Sequence, residues 1–214
     1  GVASIGDLYQ QLDALGLKPL EADLKAIEQV EGAAAFGKLA AQLQFGFGAS
    51  PLINAVVGAD EKQSTLNVLN LYTGIRALNQ DEYAKPEGQP VRDLYLDYIA
   101  RMFQTLGDTP DAASANARTV LAIEAELAAA ELTVEQRSNP SANYHKLSLA
   151  DAQALIPAID LEAFLRGLGV TPPETLLVSD PAGVRAVQKI LVQRPAGELR
   201  TLLRWHVLSA RAAN

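Results

Sequence analysis

The chain has 214 residues, 49% hydrophobic and 20% charged, a balance typical of a folded globular protein. Its net charge of −7 disfavours a nucleic-acid partner, and the absence of cysteine excludes disulfides, thiolate metal ligands and a thiol nucleophile. No apolar run reaches the roughly 20 residues of a membrane-spanning helix. The chain begins at Gly1 without a signal peptide and ends at Asn214 directly after a helical pattern, so we expect it to be part of a longer protein.

The first half of the chain is predicted to be mainly helical. Apolar side chains recur at spacings of three and four, which predicts three helices: residues 4–16, 19–30 and 33–43. Glycines and a proline at 45–51 predict a break. The apolar segment 52–59 fits either a short helix or a buried strand, and 60–72 has helical spacing. The polar segment 73–90 is interpreted as a long surface loop.

The second half of the chain continues this helical pattern. A broad apolar stripe predicts a helix over 91–106, ended by Gly107. The starts of the later helices are marked by a capping residue or a proline: Thr109, Thr133, Ser148, Asp160, Pro181 and Pro195. Only 175–179 fits a short extended stretch. We therefore predict an all-α, bundle-like fold with little or no sheet, with any sub-division near 73–90.

Histidine is too sparse for the zinc site of a peptidase. Such a site needs two histidines one helical turn apart, with a glutamate beside the first. The only histidines, His145 and His206, are separated by 61 positions and followed by Lys146 and Val207. His145 is interpreted as a loop hydrogen-bonding residue and His206 as a residue that flanks a helix core. We predict no catalytic, cofactor-binding or metal-binding residue in this chain.

Clustered glutamates offer the other candidate for chemistry. Glu124 and Glu131 share one face of the long helix that follows Thr109. A metal site in a helical bundle would add Glu-x-x-His partners, which the sequence lacks. The carboxylates therefore fit a solvated helix face, or an ion pair between Glu124 or Glu131 and Arg137.

Seven short segments follow one another in an informative order: IGDLY at 5–9, GLKPL at 16–20, VGADEKQS at 57–64, VLAIEAELA at 120–128, RSNP at 137–140, NYH at 143–145 and LRWH at 203–206. Together they resemble the amino-terminal region of the neprilysin and endothelin-converting-enzyme family of zinc metalloendopeptidases. The segment 74–79 departs from that family's Gly-Leu-Gly-Leu-Pro loop. In that family a pair of tyrosines follows the loop, and Tyr83 is the one residue of this chain that corresponds to them.

The resemblance implies a function for the parent protein more than for this chain. It implies that 1–214 is a helical cap or scaffold region, and that a catalytic lobe beyond Asn214 carries an HExxH zinc site and cleaves short peptides. Zinc and peptides would thus be ligands of the parent, and that lobe would be the partner of this region. The resemblance also implies a periplasmic or secreted location.

Two other functions stay open. The chain could be a free-standing helical binding domain without a protease lobe, or an independent enzyme whose site is assembled from scattered residues. Under the leading hypothesis the functional residues are structural. Glu124 and Arg137 would tie the long helix to the next turn, and Asn143 and Tyr144 would fix the connection to the helix that Ser148 caps.

Overall fold

Helices dominate the fold. The structure, a computed structural model, describes residues 20–74, 76–139 and 143–212, so the helix predicted over 4–16 lies outside the described residues. The described part contains these α-helices: α1 (Glu21–Glu28), α2 (Ala33–Phe47), α3 (Gln80–Ala84), α4 (Gln89–Thr105), α5 (Pro110–Ala130), α6 (Val134–Arg137), α7 (Leu149–Leu155), α8 (Leu161–Gly167), α9 (Pro181–Gln193) and α10 (Ala196–Ala212). The predicted helical class is confirmed. No helix in the described ranges has both the length and the apolar character needed to cross a bilayer.

Capping side chains begin five of these helices at the predicted positions. Thr109, Ser148, Asp160 and Asp180 each accept a hydrogen bond from a first-turn backbone N–H of the helix that follows. Thr133 and Gln136 form a reciprocal capping box at the start of α6. These helix starts were predictable because a cap satisfies backbone donors within three residues of itself.

A small four-stranded sheet is the main addition to the predicted fold. Its strands are β1 (Ile53–Ala59), β2 (Asn67–Thr73), β3 (Lys146–Ser148) and β4 (Thr175–Val178), in the order β1-β2-β4-β3. β1 and β2 form an antiparallel hairpin, β2 runs parallel to β4, and β3 is antiparallel to β4. The short extended stretch at 175–179 is thereby confirmed, and the ambiguous segment 52–59 contains a strand.

Two predictions for the first half were wrong. The segment 60–72 is a turn followed by β2, because pairing with β1 and β4 overrides the helical spacing of Leu66, Leu69 and Tyr72. The segment 73–90 is not one long loop. It contains α3, a 3₁₀ turn at Pro86–Gly88 and the start of α4, and Asn79 caps α3 with a full capping box.

The long helix α5 lies at the centre of the core. Its inner face carries Val120, Ile123 and Leu127, all at most 1% exposed, and it packs against α3, α4, α9 and α10. The sheet packs beside it through the contact of α9 with β2. This arrangement brings the carboxyl end of α5 close to the carboxyl ends of β2 and β4, which positions the site described next.

Candidate functional site

A cleft of about 530 Å³ opens where the parallel strands β2 and β4 end. Its walls come from the segment after β2, the end of α5, α6 and the residues before β3. Ligand sites of sheet proteins commonly lie at this edge, because loops diverge beyond the carboxyl ends of parallel strands. The cleft is therefore the first candidate for a functional site in the described part of the chain.

A buried ion pair stands at the base of the cleft. The two terminal nitrogens of Arg76 each donate to one carboxylate oxygen of Glu131, and Thr73 Oγ1 donates to Oε1 at 2.6 Å. The side chains of Arg76 and Glu131 are only 12% and 7% exposed. Such a bidentate ion pair fixes the orientation of both the guanidinium and the carboxylate. The alternative in which Glu131 pairs with Arg137 is thus wrong, because the carboxylate of Glu131 is paired with Arg76.

Asp180 and its neighbour Ser179 connect three elements at the rim of the same cleft. Its Oδ1 accepts from the backbone N–H of Gly183 and so caps α9, while Oδ2 accepts from the N–H of Leu132 just beyond α5. The backbone N–H of Ser179 donates to the carbonyl of Leu71 in β2. Through its carboxylate, Asp180 thus holds the end of α5 next to the start of α9.

Glu124 lies partly buried beside the cleft, between two tyrosines. Tyr83 and Tyr95 donate to its two carboxylate oxygens at 2.7 and 3.1 Å. Burial raises the pKa of Glu124, and the tyrosine hydroxyls and the charge of Arg76 partly offset this by favouring the ionised form. Burial, followed by the charge of Glu124, raises the pKa of both tyrosines. Glu124 thus ties α5 to α3 and α4, and no ion pair joins it to Arg137 among the described residues.

A cluster of hydrogen bonds around Asp60 holds the tip of the β1–β2 hairpin. The carboxylate of Asp60, 1% exposed, accepts from Tyr144 Oη at 3.0 Å, from the N–H of Lys62 at 2.9 Å and from Lys146 Nζ at 3.4 Å. The ammonium of Lys62 lies 4.0 Å from the centre of the Tyr144 ring. These contacts, the Lys62 N–H foremost, lower the pKa of Asp60. Tyr144 therefore connects the chain before β3 to the hairpin.

The remaining two predicted structural residues lie at the cleft's edge. Asn143 donates from Nδ2 to the carbonyl of Gln136 at 2.8 Å, which joins the residues before β3 to α6. Arg137 is exposed and lines the cleft. The structure thus brings Arg137, Asn143 and Tyr144 to one cleft, while Glu124 lies behind it next to Arg76. Their importance for folding stays a prediction.

The LRWH segment packs the last helix against its neighbours. Arg204 forms an ion pair with Asp108 at 2.7 Å. Trp205 is 6% exposed and lies against Tyr95, Tyr98 and Phe103. His206 Nε2 lies 2.8 Å from the carbonyl oxygen of Ala49, so this nitrogen carries the hydrogen. Burial lowers the pKa of His206, which favours a neutral ring that supports the helix core.

The described residues do not fit a zinc ion. No group of three or more histidine, cysteine, aspartate or glutamate side chains in those ranges is placed to hold a metal. His145 lies before β3, where no described residue bonds to its buried ring Nδ1, and the His206 ring bonds to the Ala49 carbonyl. Of the acidic groups that line the cleft, Glu131 is paired with Arg76, Asp180 accepts from backbone N–H groups, and Glu61 is exposed.

Two of the central residues were missed by sequence reasoning. Arg76 lies in the segment that departs from the family pattern, and nothing local indicates that it pairs with a residue 55 positions away. Asp60 lies within the family-like segment 57–64, so the resemblance held a signal for it. Tyr83, the one tyrosine retained from the family's pair, is the residue that bonds most closely to Glu124.

The sequence of this chain is similar to those of known peptidases. The amino-terminal profile of peptidase family M13 matches residues 7–214. The mouse and human endothelin-converting enzymes 1 are 28% and 26% identical over 166 residues, which cover 74% of this chain and 22% of each relative. The chain thus spans about one fifth of the length of these relatives.

Solved structures share the fold. Zinc metalloprotease Zmp1 of Mycobacterium tuberculosis, solved with an inhibitor, matches 97% of this chain with a TM-score of 0.86 and 24% identity, over 33% of its own length. PepO of Lactobacillus rhamnosis matches 94% of the chain with a TM-score of 0.70 and 16% identity, again over 33% of its length. On the extent of the profile match, this chain belongs to peptidase family M13.

Proposed function

We propose that this chain is the non-catalytic helical cap and scaffold region of a zinc metalloendopeptidase. The observation that carries the proposal is the contrast between two facts. The family profile extends over nearly the whole chain, yet the described residues offer no set of side chains for a metal. Zinc binding and peptide hydrolysis would then belong to a lobe encoded beyond Asn214.

The internal pairing of charges supports a scaffold role. Around the cleft, Arg76 is matched by Glu131, and Asp180 by the backbone of the segments that it joins. Glu124 is matched by two tyrosines. Catalytic groups need a free position for substrate or for a reacting proton. These groups instead hold α5, β2 and α9 in one arrangement, which suits a region that presents a fixed surface to the rest of a protein.

The same proposal covers the partners and the location. The partner of this region would be the catalytic lobe of the same protein, and the substrates of the parent would be short peptides. The structural residues would be Glu124, Arg137, Asn143 and Tyr144. A periplasmic or secreted location would place the enzyme where many members of this family are expected to act.

The test compares the parent protein with the chain of residues 1–214. The reading frame beyond Asn214 should encode an HExxH helix. The purified parent should hold about one zinc ion and cleave a short fluorogenic peptide. Residues 1–214 alone should do neither. The matched control is the parent with the glutamate of HExxH changed to glutamine, which should keep its zinc and lose cleavage.

Two outcomes would contradict the proposal. A reading frame that stops without an HExxH helix would favour a free-standing binding domain. Cleavage by residues 1–214 that survives treatment with a metal chelator and repeated purification would favour an enzyme assembled from scattered residues.

A further inference from the structure

The outer edge of β1 is only half protected. β1 is the terminal strand in the sheet order, so one row of its backbone groups faces away from β2. Along the first half, side chains satisfy this row. The Gln44 amide bonds to both the N–H and the C=O of Ala55, and Ser50 Oγ donates to the carbonyl of Ile53. These bonds also show that the backbone groups of Ile53 and Ala55 point away from β2.

The second half of the edge lacks such partners within residues 20–74, 76–139 and 143–212. Along an antiparallel strand, the backbone N–H and C=O groups of successive residues point alternately toward and away from the neighbouring strand. Those of Val57 and Ala59 therefore point away from β2, as those of Ala55 do. Among the described residues, none bonds to the outward N–H or C=O of Val57 or Ala59. Their neighbours Val56 and Gly58 direct their backbone groups to β2.

Apolar exposure accompanies this open edge. Val56 and Val57 are 50% and 52% exposed, and Leu66 in the following turn is 51% exposed. Phe45, the next residue after Gln44, is 76% exposed. The strand Ile53–Ala59 contains no charged residue or proline. Natural proteins usually protect a free edge with a lysine, a proline, a bulge or a covering segment. The second half of β1 contains no lysine, no proline and no bulge.

We propose that an extended segment from the rest of the parent protein pairs with β1 at Val57 and Ala59 and adds a strand to the sheet. This inference rests on the proposed function. The occupant is assigned to the parent because the fold recurs within solved chains three times as long, of which it covers 33%. An extended main chain is the partner that can satisfy N–H and C=O groups at strand spacing, and apolar side chains on it would cover Val57 and Leu66.

Hydrogen exchange at single-residue resolution tests this pairing. In the parent, the amides of Val57 and Ala59 should exchange about 100-fold more slowly than in residues 1–214 alone. The amides of Val56 and Gly58 bond to β2 and provide the internal reference. Should residues 1–214 not fold alone, the criterion is that the four amides are similarly protected within the parent.

Two matched variants of the parent sharpen the test. Val57→Pro removes an outward donor and no bond to β2, so Ala59 should return to fast exchange while Gly58 stays protected. Val56→Lys alters an equally exposed valine on the other face of the strand, and Ala59 should stay protected.

Each outcome has one meaning. A parent that binds zinc and cleaves peptide but exchanges Val57 and Ala59 rapidly overturns the pairing and leaves the proposed function intact. Protection of residues 1–214 that grows with protein concentration would show that a second copy occupies the edge, and would also overturn the pairing. A parent without a zinc lobe overturns both proposals.

Discussion

Replacing Tyr83 by Phe removes one hydroxyl that donates to the partly buried carboxylate of Glu124. The distance of 2.7 Å is that of a good hydrogen bond, and Tyr83 is 7% exposed, so water cannot readily take its place. The change leaves the ring in position. It therefore isolates the contribution of one bond that joins α3 to α5.

The magnitude follows from the charge and the distance. A hydrogen bond to a charged group contributes about 1.5–3 kcal/mol, so Tyr83→Phe should lower the free energy of unfolding by about 2 kcal/mol near pH 8. The matched variant Tyr95→Phe removes a bond of 3.1 Å and should cost less, about 1 kcal/mol. In a Glu124→Gln background no charge is present, and the cost of Tyr83→Phe should fall to about 1 kcal/mol.

The dependence on pH has a definite sign. Because the pKa of Glu124 is raised in the folded state, the folded protein binds its proton more tightly than the unfolded chain. The stabilising contribution of this proton is full below the unfolded pKa of about 4.3 and is lost as pH rises through the folded pKa. Tyr83 bonds favourably to the ionised form, so the cost of Tyr83→Phe should shrink as pH falls.

Urea unfolding at several pH values between 8 and 5.5 measures these costs and stays above the pI of about 4.9. Unchanged m-values would show that the unfolding transition exposes the same surface. The reasoning is refuted if Tyr83→Phe costs less than about 0.5 kcal/mol at pH 8, or if its cost is the same in the Glu124→Gln background.

Three further changes test other parts of the structure. Gly74→Ala would place a Cβ 1.7 Å from the carbonyl oxygen of Pro51, so it should lower the free energy of unfolding by about 3 kcal/mol or more in urea titrations. Asp60→Asn should weaken the contact with Tyr144, and limited proteolysis should cut the turn after β1 faster. Since burial lowers the pKa of His206, its stabilising effect is full above the unfolded pKa of about 6.5 and is lost as pH falls through the folded pKa; Tm should decline over that range, and less so in His206→Gln.

Each of these changes has a control. Gly58→Ala meets its nearest atom at 3.6 Å, so its effect should be small, and an equal loss in both glycine variants would contradict the steric argument. Glu61→Gln alters an exposed carboxylate next to Asp60 and should leave proteolysis unchanged. A Tm profile that is identical in the protein and in His206→Gln would show that another group causes the decline.

Some features of the cleft were accessible from sequence and others were not. That Asn143 and Tyr144 fix the connection to the helix capped by Ser148 stays a prediction; their contacts in the structure are with Gln136 and Asp60. The sequence left the partner of Glu131 open, with Arg137 as one alternative, because a helix face permits several partners for a carboxylate. Position in space selected Arg76, and Arg76 follows β2, a strand that was itself predicted as helix.

The sequence by itself determined the helical class and the starts of most helices. A capping side chain such as Thr133 or Asp160 acts on backbone groups within three residues, so the information is local. Only the tertiary structure decided the sheet, because β2 pairs with β4 more than 100 positions along the chain, and local spacing carries no record of that neighbour. Caps could be predicted because they act within a few residues of themselves. The pairing of Glu131 with Arg76 could not, because the two residues are 55 positions apart and only folding brings them together.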